Sequence, residues 1–157
     1  MGKFGVRVLG KVRIQRGLGA LLLLLAPLVM GAQQCGSAEQ DRVIQLVNAE
    51  RARAGLPALT MNATLNLDAD GWASHLASTT QLAHSNGRGY TWERIGGGEN
   101  VGKGSSIDEV HVAYMNSAPH RAAILNPSFR FVGAGHEIGV DGRVYTVIQF
   151  TFTDPHR

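Results

Sequence analysis

From Val132 to Phe152 the chain keeps a period of two, and this stretch limits the available folds more than any other. Val132, Ala134, His136 and Ile138 alternate with Gly133, Gly135, Glu137 and Gly139. After Asp141-Gly142, Val144, Thr146, Ile148, Phe150 and Phe152 alternate with Tyr145, Val147, Gln149 and Thr151. Successive strand side chains point to opposite faces, so two such runs joined by Asp-Gly predict an antiparallel hairpin. Upstream the period is helical. Val43, Ile44, Leu46, Val47 and Ala54 follow Asp41, most of them share one face, and Gly55 stops the run. Asn62 is placed to cap a second helix carrying Leu65, Ala69, Trp72, Ala73 and Leu76. Gly71 inside that helix predicts a bend or a close contact. Ser106 and Glu109 have the spacing of a capping box at the mouth of a third helix. Ser117 with Pro119 behind it opens a fourth, which Asn126-Pro127 ends. Helices first and strands later predict an α+β fold, with helices packed on a small antiparallel sheet.

The N-terminus has a different logic. Lys3, Arg7, Lys11, Arg13 and Arg16 come with no acidic residue among them, and Leu18 to Met30 is a run of 13 residues without a charge. Gly31-Ala32 and then Gln33-Gln34 follow, the order of a secretory signal cleaved near Ala32. Thirteen residues fall short of the ~20 that span a bilayer, so no stable membrane span is expected after cleavage. The expected organisation is a signal peptide over 1–32, a flexible linker over 33–40, a domain over 41–153 and a tail over 154–157. The chain carries 15 Lys and Arg against 12 Asp and Glu. Five of the bases lie in the signal, which leaves ten against 12. The domain therefore lacks the basic stripe of a nucleic-acid binder. Cys35 is the only cysteine, so no disulfide can form within the chain. Gln34 directly before it departs from the small residue that a lipoprotein signal would place there.

The chemistry gathers between His84 and His120. Glycines at 87, 89, 96, 97, 98, 102 and 104 make 84–105 read as mostly loop, with Glu99 inside it. Gly97 to Lys103 has the spacing of a phosphate-binding loop, but Gly104 replaces the final Ser or Thr and no apolar strand precedes it. Two imidazoles and a carboxylate that meet in one cavity can hold a divalent metal or move protons. His84 and His120 are the candidate metal ligands, for zinc or another divalent ion held weakly. His84, Glu99 and His120 together are the candidate catalytic group. Ser85 and Ser117 add a nucleophile reading, although no Gly-x-Ser-x-Gly elbow is present. His75, His111 and His136 lie where packing or surface roles are the default.

In order along the chain, Val47-Asn48 through Arg51, Gly55-Leu56, Leu59, His84-Ser85, Gly98-Glu99-Asn100-Val101, Tyr114-Met115-Asn116-Ser117, His120-Arg121, Ile124-Leu125-Asn126-Pro127 and Val132-Gly133-Ala134-Gly135 resemble the CAP superfamily. This is the group of cysteine-rich secretory, antigen 5 and pathogenesis-related 1 proteins, here in the compact bacterial SCP-like form. The resemblance covers roughly 41 to 153. It implies a three-layer α–β–α sandwich, export, and a central cavity lined by two histidines and two acids. By position the histidines are His84 and His120 and the first acid is Glu99. Ser117 stands where the second acid usually lies, and Tyr114 where a tryptophan does. The resemblance also implies an apolar small molecule, such as a sterol or fatty acid, or a cell-envelope component as partner. A secreted hydrolase or peptidase using the same cavity is the alternative.

Overall fold

The computed structural model describes residues 37–156. In chain order they form α1 (Ala38–Arg53), β1 (Thr60–Met61), α2 (Ala63–Thr79), α3 (Thr91–Ile95), β2 (Gly97–Gly104), α4 (Ile107–Asn116), α5 (Ala118–Ile124), β3 (Phe131–Ile138) and β4 (Val144–Thr151). The sheet order is β1-β3-β4-β2. The expected hairpin is β3 and β4, antiparallel with Ala134 opposite Ile148. The sheet is mixed rather than purely antiparallel, because the two-residue β1 pairs parallel to β3.

Helices cover both faces. On one, Val43, Ile44 and Val47 of α1, Val110 and Tyr114 of α4 and Ile124 of α5 pack on Val132, Ala134, Ile148 and Phe150. On the other, Ala69, Trp72, Ala73, Leu76 and Ala77 of α2 pack on Val101, Tyr145 and Val147. This is the three-layer α–β–α sandwich. The alternating glycines of β3 explain how close α2 sits. A Cβ on Gly133 would lie 2.2 Å from the Leu65 carbonyl carbon, and one on Gly135 2.1 Å from the Ala69 carbonyl oxygen. Only a strand without side chains on that face admits a helix backbone at this distance.

Local signals set most helix starts. Asn62 Oδ1 accepts from the N–H groups of Thr64 and Leu65, the side-chain cap expected of it. Ser106 Oγ accepts from Glu109 N at 3.2 Å. The Glu109 carboxylate turns one residue further back than a capping box requires and accepts from Ser105 N at 2.7 Å.

Four expectations need correction. α1 begins at Ala38, ahead of Asp41, because Ser37 and Gln40 form a reciprocal capping box. The flexible linker over 33–40 therefore does not extend through 38–40. Its first part, the signal segment and Cys35 lie outside the described residues. The glycine-rich stretch 84–105 is not all loop, since α3 and the eight-residue β2 occupy much of it. β2 forms because β4 offers a complete partner, from Gly97 opposite Thr151 to Gly104 opposite Val144. Its glycines also leave room above the strand: a Cβ on Gly102 would meet Val110 Cγ1 at 2.6 Å and the Tyr114 ring at 2.9 Å. Gly71 does not break α2, which runs through it, and it serves no close packing contact, for nothing lies within 4 Å of a Cβ built there. Ser117 stands at the N-cap of α5 without a capping hydrogen bond, because its hydroxyl is turned to His120.

Buried Arg51 holds the end of α5. Its Nη1 donates to the carbonyls of Ile124 and Asn126 at 3.0 and 2.8 Å, and its Nε to that of Pro57 at 2.9 Å. These bonds tie α1 to the short helix that carries His120. Among the described residues no helix is long and apolar enough to cross a membrane.

Candidate functional site

Glu99 lies on β2 with its side chain fully buried. Four groups converge on its two oxygens. His84 Nδ1 lies 3.0 Å and Ser85 N 2.9 Å from Oε1; Ser85 Oγ lies 2.6 Å and Gln149 Nε2 3.1 Å from Oε2. A carboxylate has about four lone-pair sites, so this set fills its acceptor capacity. Glu99 therefore anchors the loop after α2 to the sheet, and it has no oxygen left for a metal. Ser85 is equally committed: fully buried, it also accepts from Trp92 Nε1 at 3.0 Å.

The contact sets the chemistry of His84. Donation from Nδ1 to Glu99 holds the imidazole in one orientation and leaves Nε2 as its free nitrogen. The ring is about half exposed. His120 sits in the first turn of α5. Its carbonyl accepts from Asn100 Nδ2 at 3.0 Å, which ties this turn to the residue after Glu99. Its ring is 5.2 Å from the Tyr114 ring, and its Nδ1 is 3.0 Å from Ser117 Oγ. Burial, and next the nearby His84, hold its pKa below the usual histidine value. Burial pushes the Tyr114 hydroxyl far up; that hydroxyl is bonded to the carbonyl and side chain of Thr146.

The structure thus joins His84 directly to Glu99, and places His120 against the neighbouring backbone without a hydrogen bond to either. Between α4 and Leu82 a groove of about 230 Å³ runs beside β2. Leu82, Val101, Val110, Ala113 and Tyr114 make it largely apolar, and Lys103, Ser117 and His120 are its polar lining. Leu82 and Val101 are each two residues from His84 and Glu99.

Two imidazoles fall short of the three protein ligands of catalytic zinc. Among the described residues, no group of three or more His, Cys, Asp or Glu side chains is arranged to hold a metal. Of the other histidines, His75 stacks on Trp72 at 4.5 Å. His111 is buried on α4, its Nε2 lying 3.6 Å from Glu50. Sequence reasoning missed Gln149 and Trp92. Gln149 was visible as a polar residue on the same face as Val147 and Tyr145, whereas nothing local marks Trp92.

Residues 44–150 match the family model described as the cysteine-rich secretory protein family, CAP. The Bacillus subtilis (strain 168) protein YkwD is 34% identical over 110 residues, covering 64% of this chain and 43% of YkwD. The chain accordingly spans less than half the length of that relative. An extracellular protein containing an SCP domain from Bacillus anthracis superposes with a TM-score of 0.60 at 23% identity, over 72% of this chain and 40% of that one. The structure of NaASP2 with Zn2+ superposes with a TM-score of 0.60 at 12% identity, over 78% and 86%. At these identities the two likenesses are ones of fold.

Proposed function

Because the chain belongs to the cysteine-rich secretory protein (CAP) family, we propose that it is an exported binding module. Its ligand, an apolar small molecule or a cell-envelope component, lies in the groove beside His84, Glu99 and His120. The observation that carries this reading is the occupancy of Glu99. With its oxygens filled and Ser85 locked beneath it, this centre is built to hold a loop and orient one imidazole. It offers no free nucleophile. The groove supplies the apolar walls with a few polar groups, Lys103, Ser117 and His120, that small-ligand sites share. A weakly held zinc or other divalent ion on His84 and His120 would supply positive charge beside the groove. Export follows from the basic, apolar and small-residue order of 1–32, and mature protein beginning near Gln33 is its direct check.

The test is saturation binding of a fluorescent fatty acid and of a sterol to the purified protein, beside assays for ester and peptide hydrolysis. One-site binding that Leu82→Arg removes, without turnover, is the expected result. Turnover abolished by His84→Ala would overturn the reading. One contact favours such a hydrolase: Ser117 Oγ and His120 Nδ1 are within hydrogen-bond reach. Ser117→Ala in the same assays separates the two readings.

A further inference from the structure

α4 stands between the groove and α1. On its groove side are Val110, Ala113 and Tyr114. On its α1 side, His111 and Tyr114 line a narrow cleft with Val43 and Leu46. The Tyr114 ring is thus a wall of both. His111 is buried, and its Nε2 has no hydrogen-bond partner among the described residues. The nearest carboxylate, Glu50 of α1, stands 3.6 Å away, beyond hydrogen-bond length. The same Glu50 oxygen already accepts from Arg53 Nη1. A neutral imidazole tolerates such a place, whereas a charged one would be buried without a bonded partner. α4 is bounded by single extended residues, Ser106 and Ser117, the element-terminal positions about which a short helix can swing. We infer that His111 makes the groove acid-sensitive: its protonation lifts α4 and releases an apolar ligand.

The direction follows from linkage. With α4 in place, burial holds the His111 pKa below its usual value, against the pull of Glu50 and Asp108 and with the help of Arg53. Lifting α4 hydrates the ring and returns it towards the ordinary ~6.5. The lifted state therefore takes up the proton first, and acid favours it. A ligand packed on Val110 and Tyr114 needs α4 in place, so proton and ligand weaken each other by the same factor. The charged groups that face His111 are few. Glu50 and Arg53 approach from α1, and Asp108, on its own helix, is paired with Arg42 of α1. From the sheet come Thr146 and Ile148, which carry no charge, and the Tyr114 hydroxyl titrates far above this range. Glu50 alone stands close enough to trap the proton with α4 in place, and Arg53 competes for its oxygen. His120 lines the groove itself, so its own titration has to be separated from that of His111. The inference rests on the binding-module reading and adds how the site is emptied.

The experiment titrates the isotope-labelled exported protein with 1-octanol, an apolar probe that carries no titrating group in this range, at pH 7.5 and 5.0. The methyl signals of Leu82, Val101 and Val110 are followed by NMR. Binding should be about fivefold weaker at pH 5.0. In the ligand-free protein the Val110 methyl and Tyr114 ring signals should move along the His111 titration. His111→Gln should bind as the wild type does at pH 7.5 and lose most of the fall, whereas His120→Gln should keep it. Glu50→Gln removes the carboxylate that supports the charged ring with α4 in place, so it should deepen the fall and leave binding at pH 7.5 unchanged. No fall in the wild type, or the same fall in His111→Gln, would overturn the inference and leave the binding module standing. If His111→Gln does not fold, Glu50→Gln decides, and a fall of wild-type size would overturn the inference. Absence of octanol binding at pH 7.5 would remove both readings.

Discussion

His84 and Glu99 are 15 residues apart in the chain, and their side chains meet at 3.0 Å, imidazole Nδ1 to carboxylate Oε1. The same carboxylate holds Ser85 and Gln149, so one buried side chain fastens the loop after α2 to the edge of the sheet. Glu99→Gln replaces an oxygen that accepts two bonds by an amide that donates. At least one buried donor then faces another donor, at about 1–3 kcal/mol for each unsatisfied group. A loss of about 2 kcal/mol in urea unfolding is expected, together with a changed His84 tautomer in imidazole 15N spectra. Unchanged stability and an unchanged His84 spectrum would mean that the contact orients nothing.

By the resemblance, Ser117 takes the place of the family's second acid, and its Oγ lies 3.0 Å from His120 Nδ1. Weak zinc binding by the wild type is expected in calorimetry. Ser117→Glu should tighten it by adding an anionic oxygen, and His120→Ala should abolish it. No capping bond is lost with Ser117, so the glutamate variant should fold normally. Tight wild-type binding that survives His120→Ala would place the ion elsewhere.

His111 predicts a pH dependence of stability. Burial holds its pKa below the usual value, opposed in part by Glu50 and Asp108 and reinforced by Arg53. A depressed folded pKa means that the unfolded chain takes up the proton first. Stability is therefore complete above the unfolded value of ~6.5 and falls as pH drops from there through the folded value. His120 contributes with the same sign. Urea unfolding at pH 7.5 and 5.5 should show the loss, and His111→Gln should make it smaller. An identical pH slope in the variant would show that His111 has no part in it.

Two glycines should respond in opposite directions to alanine. Gly71 is exposed in mid-helix with open space around it, so Gly71→Ala should stabilise by about 1 kcal/mol. Gly133→Ala drives a methyl into the α2 backbone, with a cost of about 3 kcal/mol or more expected from overpacking a close contact. Thermal melts of both variants test the account of how α2 sits on β3.

The hairpin, the α2 cap at Asn62 and the start of α4 at Ser106 were legible because each depends on residues within about four positions. An alternation, a side-chain cap and an Asp-Gly turn express themselves wherever the chain goes. The ordered fragments from Val47 to Gly135 carried the family, and the cavity it implies pointed to His84 and Glu99, which do meet. The start of α1 was missed for a local reason, since Ser37 and Gln40 stand ahead of the apolar run that announced the helix.

β2 could not be read in advance. Gly97-Gly98-Glu99-Asn100-Val101-Gly102-Lys103-Gly104 has little intrinsic preference for a strand. It becomes one because β4 supplies a full register of partners and α4 needs bare backbone beneath Val110 and Tyr114. The same strand carries Glu99 to His84, Ser85 and Gln149. The sequence by itself therefore determined the periods, the caps and the set of reactive side chains, all of which are local properties. Tertiary structure alone decided that Glu99 is saturated, that His84 keeps one nitrogen free and that a groove runs beside β2. Those outcomes depend on hydrogen bonds between positions up to 50 residues apart, and no short-range pattern encodes them.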